Sequence, residues 1–111
     1  MTVNAMLLSA LTPIMSIVRP DVYTGEETRY IVFNYDLVPT NFADNTTPLW
    51  KALVQVHLIL PIGENSVALR ARIATALKTA GFTMPEIIDA TDKDSQHFVF
   101  ETETITTLKG D

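Results

Sequence analysis

Two periods of hydrophobic repetition divide this chain. Val3, Leu7, Ala10, Leu11 and Ile14 recur at helical spacing, which predicts a helix over Val3–Met15 with Thr2 as its cap. Pro13 lies inside that stretch. It lacks a backbone donor and disfavours helix at Thr12, so the helix either kinks there or stops and restarts. Beyond Arg19–Pro20–Asp21 the period changes to two. Arg29–Val38 reads as a strand of strong strand formers, with Ile31, Phe33, Tyr35 and Leu37 on one face and Asn34 and Asp36 on the other. The short piece around Val22 and Tyr23 is either a strand leading into it or an extended arm. Leu49–Leu60 is the clearest strand: Ala52, Val54, Val56, Leu58 and Leu60 share one face, while Lys51, Gln55 and His57 lie opposite with Leu53 and Ile59. Pro61 ends it, because a central strand cannot lack a donor.

The helical period returns over Ser66–Ala80, where Leu69, Ile73, Ala76, Leu77 and Ala80 form a stripe. Asn65 or Ser66 can cap its start, and Gly81 supplies the left-handed residue that commonly closes a helix. Glu86–Thr91 reads as a strand, Asp92–Ser95 as a tight turn and Gln96–Leu108 as a long strand, with Phe98 and Phe100 on one face and His97, Val99, Glu101, Glu103 and Ile105 on the other. The order α-β-β-α-β-β predicts an α+β fold: one antiparallel or mixed sheet with two helices packed on one face. No linker, repeat or low-complexity tract interrupts it, so residues 1–111 are expected to form a single domain.

Composition narrows the function classes. With 111 residues, 47% of them apolar, the chain can bury a real core, roughly two-thirds of the surface it exposes when unfolded. Only 19% of residues are charged, which argues against disorder and hints at apolar surface meant for another subunit. The absence of cysteine excludes disulfides, thiolate metal sites and a cysteine nucleophile. No apolar run reaches the roughly 18 residues of a membrane span, and the first residues lack the pattern of a signal peptide, so an intracellular protein with no membrane partner is expected. The net charge of −5 disfavours nucleic-acid binding, which needs lysine and arginine against phosphate.

Candidate chemistry is sparse. His57 and His97 both fall on strands that adjacency could bring together, and a metal site there would need a third ligand such as Glu101. Glu101 and Glu103 share a strand face, about 7 Å apart by strand geometry. A split-pKa carboxylate pair is one reading of them; a solvated or subunit-facing strand face is the favoured one. Asp89, Asp92 and Asp94 lack the glycine and glutamate of a calcium loop and read as a turn. The four glycines are isolated, and no phosphate loop or nucleophile motif is present. No catalytic residue, metal or cofactor is expected.

Two other features point to assembly. The loop Pro39–Pro48 sets Phe42 among polar neighbours, with Trp50 just beyond, and such aromatics either fold back onto the core or anchor a partner. The last strand is longer than the usual five or six residues, so it either pairs along its full length or extends into a neighbour.

Three blocks resemble the tail-terminator, or tail-completion, proteins of long-tailed bacteriophages and prophages. They are Val32–Phe33–Asn34–Tyr35 with Pro39 and Phe42–Ala43–Asp44–Asn45, then Val54–Gln55–Val56–His57–Leu58, then the helix Arg72–Ala80 ending in Gly81–Phe82. The resemblance covers roughly Tyr30–Phe100 and rests on packing and turn residues; it departs from the family at His57–Leu58–Ile59, where members often carry Trp or another polar group. It implies a structural virion protein, not an enzyme. Such a protein caps the tail tube as a ring, expected to be a hexamer, ends tube polymerisation and offers a joining surface to the head–tail connector. The implied partners are other copies of itself, the tail tube protein and the connector, with phage DNA passing through the lumen without specific binding. The implied location is the virion tail or neck, and the host cytoplasm during assembly. Phe42, Asp44, Trp50, Glu101 and Glu103 are the interface candidates, and Glu26, Glu27, Asp36 and Asp44 are candidates for the lumen. The competing readings are a neighbouring neck or head–tail joining protein, a host adaptor, and a small metal-binding α+β enzyme domain built on His57, His97 and Glu101.

Overall fold

The computed structural model describes residues 2–40 and 49–107. Helix α1 spans Val3–Leu11, followed by strands β1 (Val18–Pro20), β2 (Tyr30–Pro39) and β3 (Trp50–Leu60). Helix α2 spans Val67–Thr79, and strands β4 (Glu86–Asp89) and β5 (Gln96–Thr106) complete the fold. The five strands make one mixed sheet in the order β1-β2-β3-β5-β4, with only β1–β2 parallel. The architecture is α+β, with an additional short strand ahead of β2.

Alternation along the strands decides which face the helices cover. Ile31 and Phe33 of β2, the even positions of β3 from Ala52 to Leu60, and Phe98 and Phe100 of β5 are all buried and share one face. Val3, Leu7 and Leu11 of α1 and Ile73 and Leu77 of α2 join the same cluster. Both helices therefore pack on one side of the sheet, and each fully buried Leu, Ile or Phe contributes about 1.5–3 kcal/mol of transfer free energy.

The ends of the elements follow local chemistry. Thr2 accepts the Ala5 N–H and starts α1 as expected, but the helix stops at Leu11 rather than reaching Met15. Pro13 cannot continue the ladder; a turn instead bonds the Ile14 and Met15 amides to the Leu11 carbonyl and returns Met15 to the core. The piece at Val22–Tyr23 is not a strand. The paired residues are Val18–Pro20, with Val18 buried, and Asp21 then sits at φ +66° in a γ-turn closed by the Val22 amide and the Pro20 carbonyl. Asn65, not Ser66, takes the first free amide of α2, that of Val67. At the other end Gly81 (φ +107°) forms a complete Schellman closure: its amide bonds Lys78 O and the Phe82 amide bonds Leu77 O. The segment after α2 is pinned to β5 by hydroxyls. The Glu103 amide donates to Thr83 Oγ1, the Thr83 amide to the Glu103 carbonyl, and Thr104 Oγ1 to the Gly81 carbonyl. The fourth strand ends at Asp89, before Thr91, because the Asp89 carboxylate turns back to accept the Thr91 amide.

Candidate functional site

Helices cover one face of the sheet; among the described residues no helix lies on the other, the open face. Its residues are fixed by register. Val32, His57, Val99 and Ile88 form one row across β2, β3, β5 and β4, and Asn34, Gln55, Glu101 and Glu86 form the next. Asp36, Leu53 and Glu103 follow, then Val38, Lys51 and Ile105. Four carboxylates thus stand on this face against Lys51 and, at the β1 edge, Arg19. Leu53 and Ile105 are about half exposed among them.

The side chains of this face partner one another across strands. Gln55 donates to Glu101 Oε2 at 3.2 Å, and Lys51 Nζ lies 3.6 Å from Glu103 Oε1. These contacts are surface pairs worth at most about 1 kcal/mol each. Glu101 and Glu103 are therefore engaged with different neighbours rather than with each other. Trp50 opens β3 opposite Pro39 and Thr106 and is half-buried on the helix-covered side, so it does not stand with the two glutamates. Phe42 and Asp44 lie outside the described residues. Glu86 joins the same face and was not singled out in the sequence, because only the β4–β5 register sets it opposite Glu101.

His57 and His97 do meet. Their Nδ1 and Nε2 atoms are 2.8 Å apart on the open face, and Asn34 approaches the other nitrogen of His57 at 3.4 Å. Glu101 does not join them, and among the described residues no three His, Asp or Glu side chains converge as a metal site would require. Partial burial, and then the positive charge of His97 beside it, hold the His57 imidazole below its ordinary pKa. The native state thus binds fewer protons at this ring than the unfolded chain once pH falls below about 6.5. Stability is complete above that pH and is lost as pH descends toward the lowered value. The melting temperature is expected to fall between pH 7.5 and 5, and His57→Gln is expected to flatten that slope; an equally steep slope in the variant would place the titration elsewhere. The Asp89 and Asp92 carboxylates titrate in a separate window. Both are held below the usual range by hydrogen bonds, from Thr91 to Asp89 and from the Asp94 and Ser95 amides to Asp92, so their contribution is lost only below about pH 4. The Asp-rich segment is accordingly a turn held by its own carboxylates.

On the helix side, an open groove of about 640 Å³ runs between α1 and α2, lined by small and apolar residues such as Met6, Ala10, Ile14 and Ala76, with Arg72 its one ionisable group among the described residues. No helix of the described residues is long and apolar enough to cross a membrane.

No known protein family's profile matches the chain, and no curated protein matches it. Solved structures do. One, of no stated function, aligns with 94% of this chain and 94% of its own length at TM-score 0.56 and 12% identity. Another is a chain from the virion of a native gene transfer agent (GTA) particle, at TM-score 0.64 and 12% identity. At that identity the likeness is one of fold, and the fold is shared over 96% of this chain and 95% of the virion chain.

Proposed function

We propose that this protein is a structural, non-enzymatic component of a phage-type virion that assembles as a ring on the end of the tail tube. The observation that carries the reading is the nearly end-to-end correspondence with a chain of a gene transfer agent virion. The three blocks that resemble tail terminators narrow it to the cap that stops tube growth and offers a surface to the head–tail connector. The arrangement of the sheet supports the same reading. A sheet face without helices can line the channel of a ring, and like charge on that face opposes phosphate binding. The open face here carries Asp36, Glu86, Glu101 and Glu103, and it becomes the lumen wall in this reading. Asp36 was among the lumen candidates, and Glu86, Glu101 and Glu103 share its sheet face. The protein then works in the virion tail or neck after assembly in the host cytoplasm, with further copies of itself, the tube protein and the connector as partners.

The test is to add purified protein to tail tubes polymerised in vitro and to follow tube ends by negative-stain microscopy, with light scattering for the free protein. Ring-shaped caps on tube ends and arrest of elongation are expected. Free elongation of tubes at saturating protein would overturn the capping role, and binding to purified connector alone would reassign the chain to the neck.

A further inference from the structure

Among the described residues the sheet has two uncovered edges, and their backbone groups can be assigned from the registers. The Ile31 amide bonds Ile17 O and the Asp21 amide bonds Phe33 O, so odd residues of β2 point away from β3. Beyond Phe33 the next outward residues are Tyr35, Leu37 and Pro39, and β1 no longer covers them. The γ-turn at Asp21 is where the chain leaves this edge, and a crevice of about 160 Å³ lined by Asn4, Pro20, Asp21, Phe33, Asn34 and Tyr35 marks the place. On the opposite edge, the Ala90 amide bonds His97 O, so even residues of β4 face β5 and Ile87 and Asp89 point outward, preceded by Pro85. All four residues of β4 are exposed.

We infer that β4 of one copy adds to the free outer edge of β2 in the next copy, antiparallel, with Ile87 opposite Leu37 and Asp89 opposite Tyr35. This rests on the ring-forming reading and supplies its subunit contact. The direction follows from the sheet: β4 runs opposite to β5, β5 opposite to β3 and β3 opposite to β2, so an incoming β4 continues the alternation. The register follows from the prolines. Pairing Ile87 with Leu37 puts Pro85 opposite Pro39, so the two residues that lack an N–H face each other where the ladder ends. A shift of two residues one way sets the Ile87 carbonyl against Pro39, which cannot donate; a shift the other way runs Asp89 into the Phe33 carbonyl, already held by Asp21. In the inferred register Leu37 and Ile87 fall on the helix side together, as do Tyr35 and Asp89. The two edges differ, so the contact is head-to-tail and generates a ring if its rotation closes.

Geometry favours closure. Within one copy β4 lies level with residues 31–34 of β2, but in the next copy it takes the level of 35–38. Each copy therefore steps four residues, about 13 Å, while β2, β3, β5 and β4 span about 19 Å across. That ratio tilts the strands by about 35°, at the edge of the range of closed barrels.

The chain has no cysteine, so engineered pairs report cleanly. Asp36 and Ile88 become directly opposed across the contact, both exposed, in a non-hydrogen-bonded pair with Cα atoms about 4.5 Å apart, within disulfide reach. Mixing Asp36→Cys with Ile88→Cys protein under mild oxidation is expected to yield a cross-linked dimer. Asp36→Cys with Glu86→Cys, offset by two residues, is expected to yield about tenfold less, because its Cα atoms lie at or beyond about 7 Å. Disulfide homodimers of Ile88→Cys alone would overturn the inference in favour of a two-fold β4–β4 contact. Rings or capped tubes without the mixed cross-link would overturn the edge pairing and leave the capping function standing. Mixed cross-links in open filaments that never cap a tube would uphold the pairing and overturn the function.

Discussion

Phe100→Ala is expected to cost about 3–5 kcal/mol, the range for deleting a buried aromatic ring. Phe100 is fully buried and lies opposite Val56, which lies opposite Phe33, so it belongs to the middle of the core cluster that includes residues of both helices. For a domain of this size the loss lowers the melting temperature by about 13–21 °C. Total stabilities run only to about 5–15 kcal/mol, so the variant is left marginal at best. Ile105→Ala is the internal control: it sits on the same strand, half exposed on the open face, and is expected to change stability by about 0.5 kcal/mol or less. Thermal denaturation of the two proteins side by side checks both values. Equal losses would mean that the open face is as well covered as the core.

The largest functional effect is expected from reversing the charge of the open face. In Asp36→Lys/Glu101→Lys/Glu103→Lys, three carboxylates on neighbouring rows become ammonium groups while the core-facing residues stay as they are. The wild-type protein is expected to leave duplex DNA unretained at about 50 mM salt, since four carboxylates outnumber Lys51 and Arg19 on that face. The variant is expected to bind, with log K falling against log salt at a slope of about −3 if the three lysines of a copy each engage a phosphate, and more steeply in a ring. Fluorescence anisotropy of labelled duplex over a salt series measures this. Binding of similar strength by both proteins would remove the acidic lumen from the proposal, and melting curves on the same samples separate it from misfolding.

Face assignment was the part of the fold most legible in the sequence. The alternation Ala52–Val54–Val56–Leu58–Leu60 identified the buried side of β3, and the matching phase in β2 and β5 follows from pairing two-period strands around one core. The stripe Leu69–Ile73–Leu77 likewise marked α2, of which Ile73 and Leu77 are fully buried. β1 was hidden because three residues are too few for a period, and one of them is proline, a residue that reads as a strand breaker unless the strand is an edge. The end of α1 turned on Pro13, whose two outcomes have nearly equal local signals; packing of Met15 into the core selects the turn. For the candidate site, the pairing of His57 with His97 could be raised from strand phase alone. That Glu101 sits beside Gln55, and Glu86 beside Glu101, required the sheet order, which is set by contacts distant in sequence and leaves no local trace.

The sheet order also governs when this protein can exist as a folded body during synthesis. β3 pairs with β2 across a short connection, but its other side waits for β5, with α2 and β4 in between. Until Phe98 and Phe100 have left the ribosome, the growing chain holds β1, β2 and β3 with one side of the central strand β3 unpaired and the β5 part of the core missing. Non-local closure of this kind is slow, in the range of milliseconds to seconds. Under the proposed ring-forming role, subunits become competent for assembly only after release of the strand that completes β3.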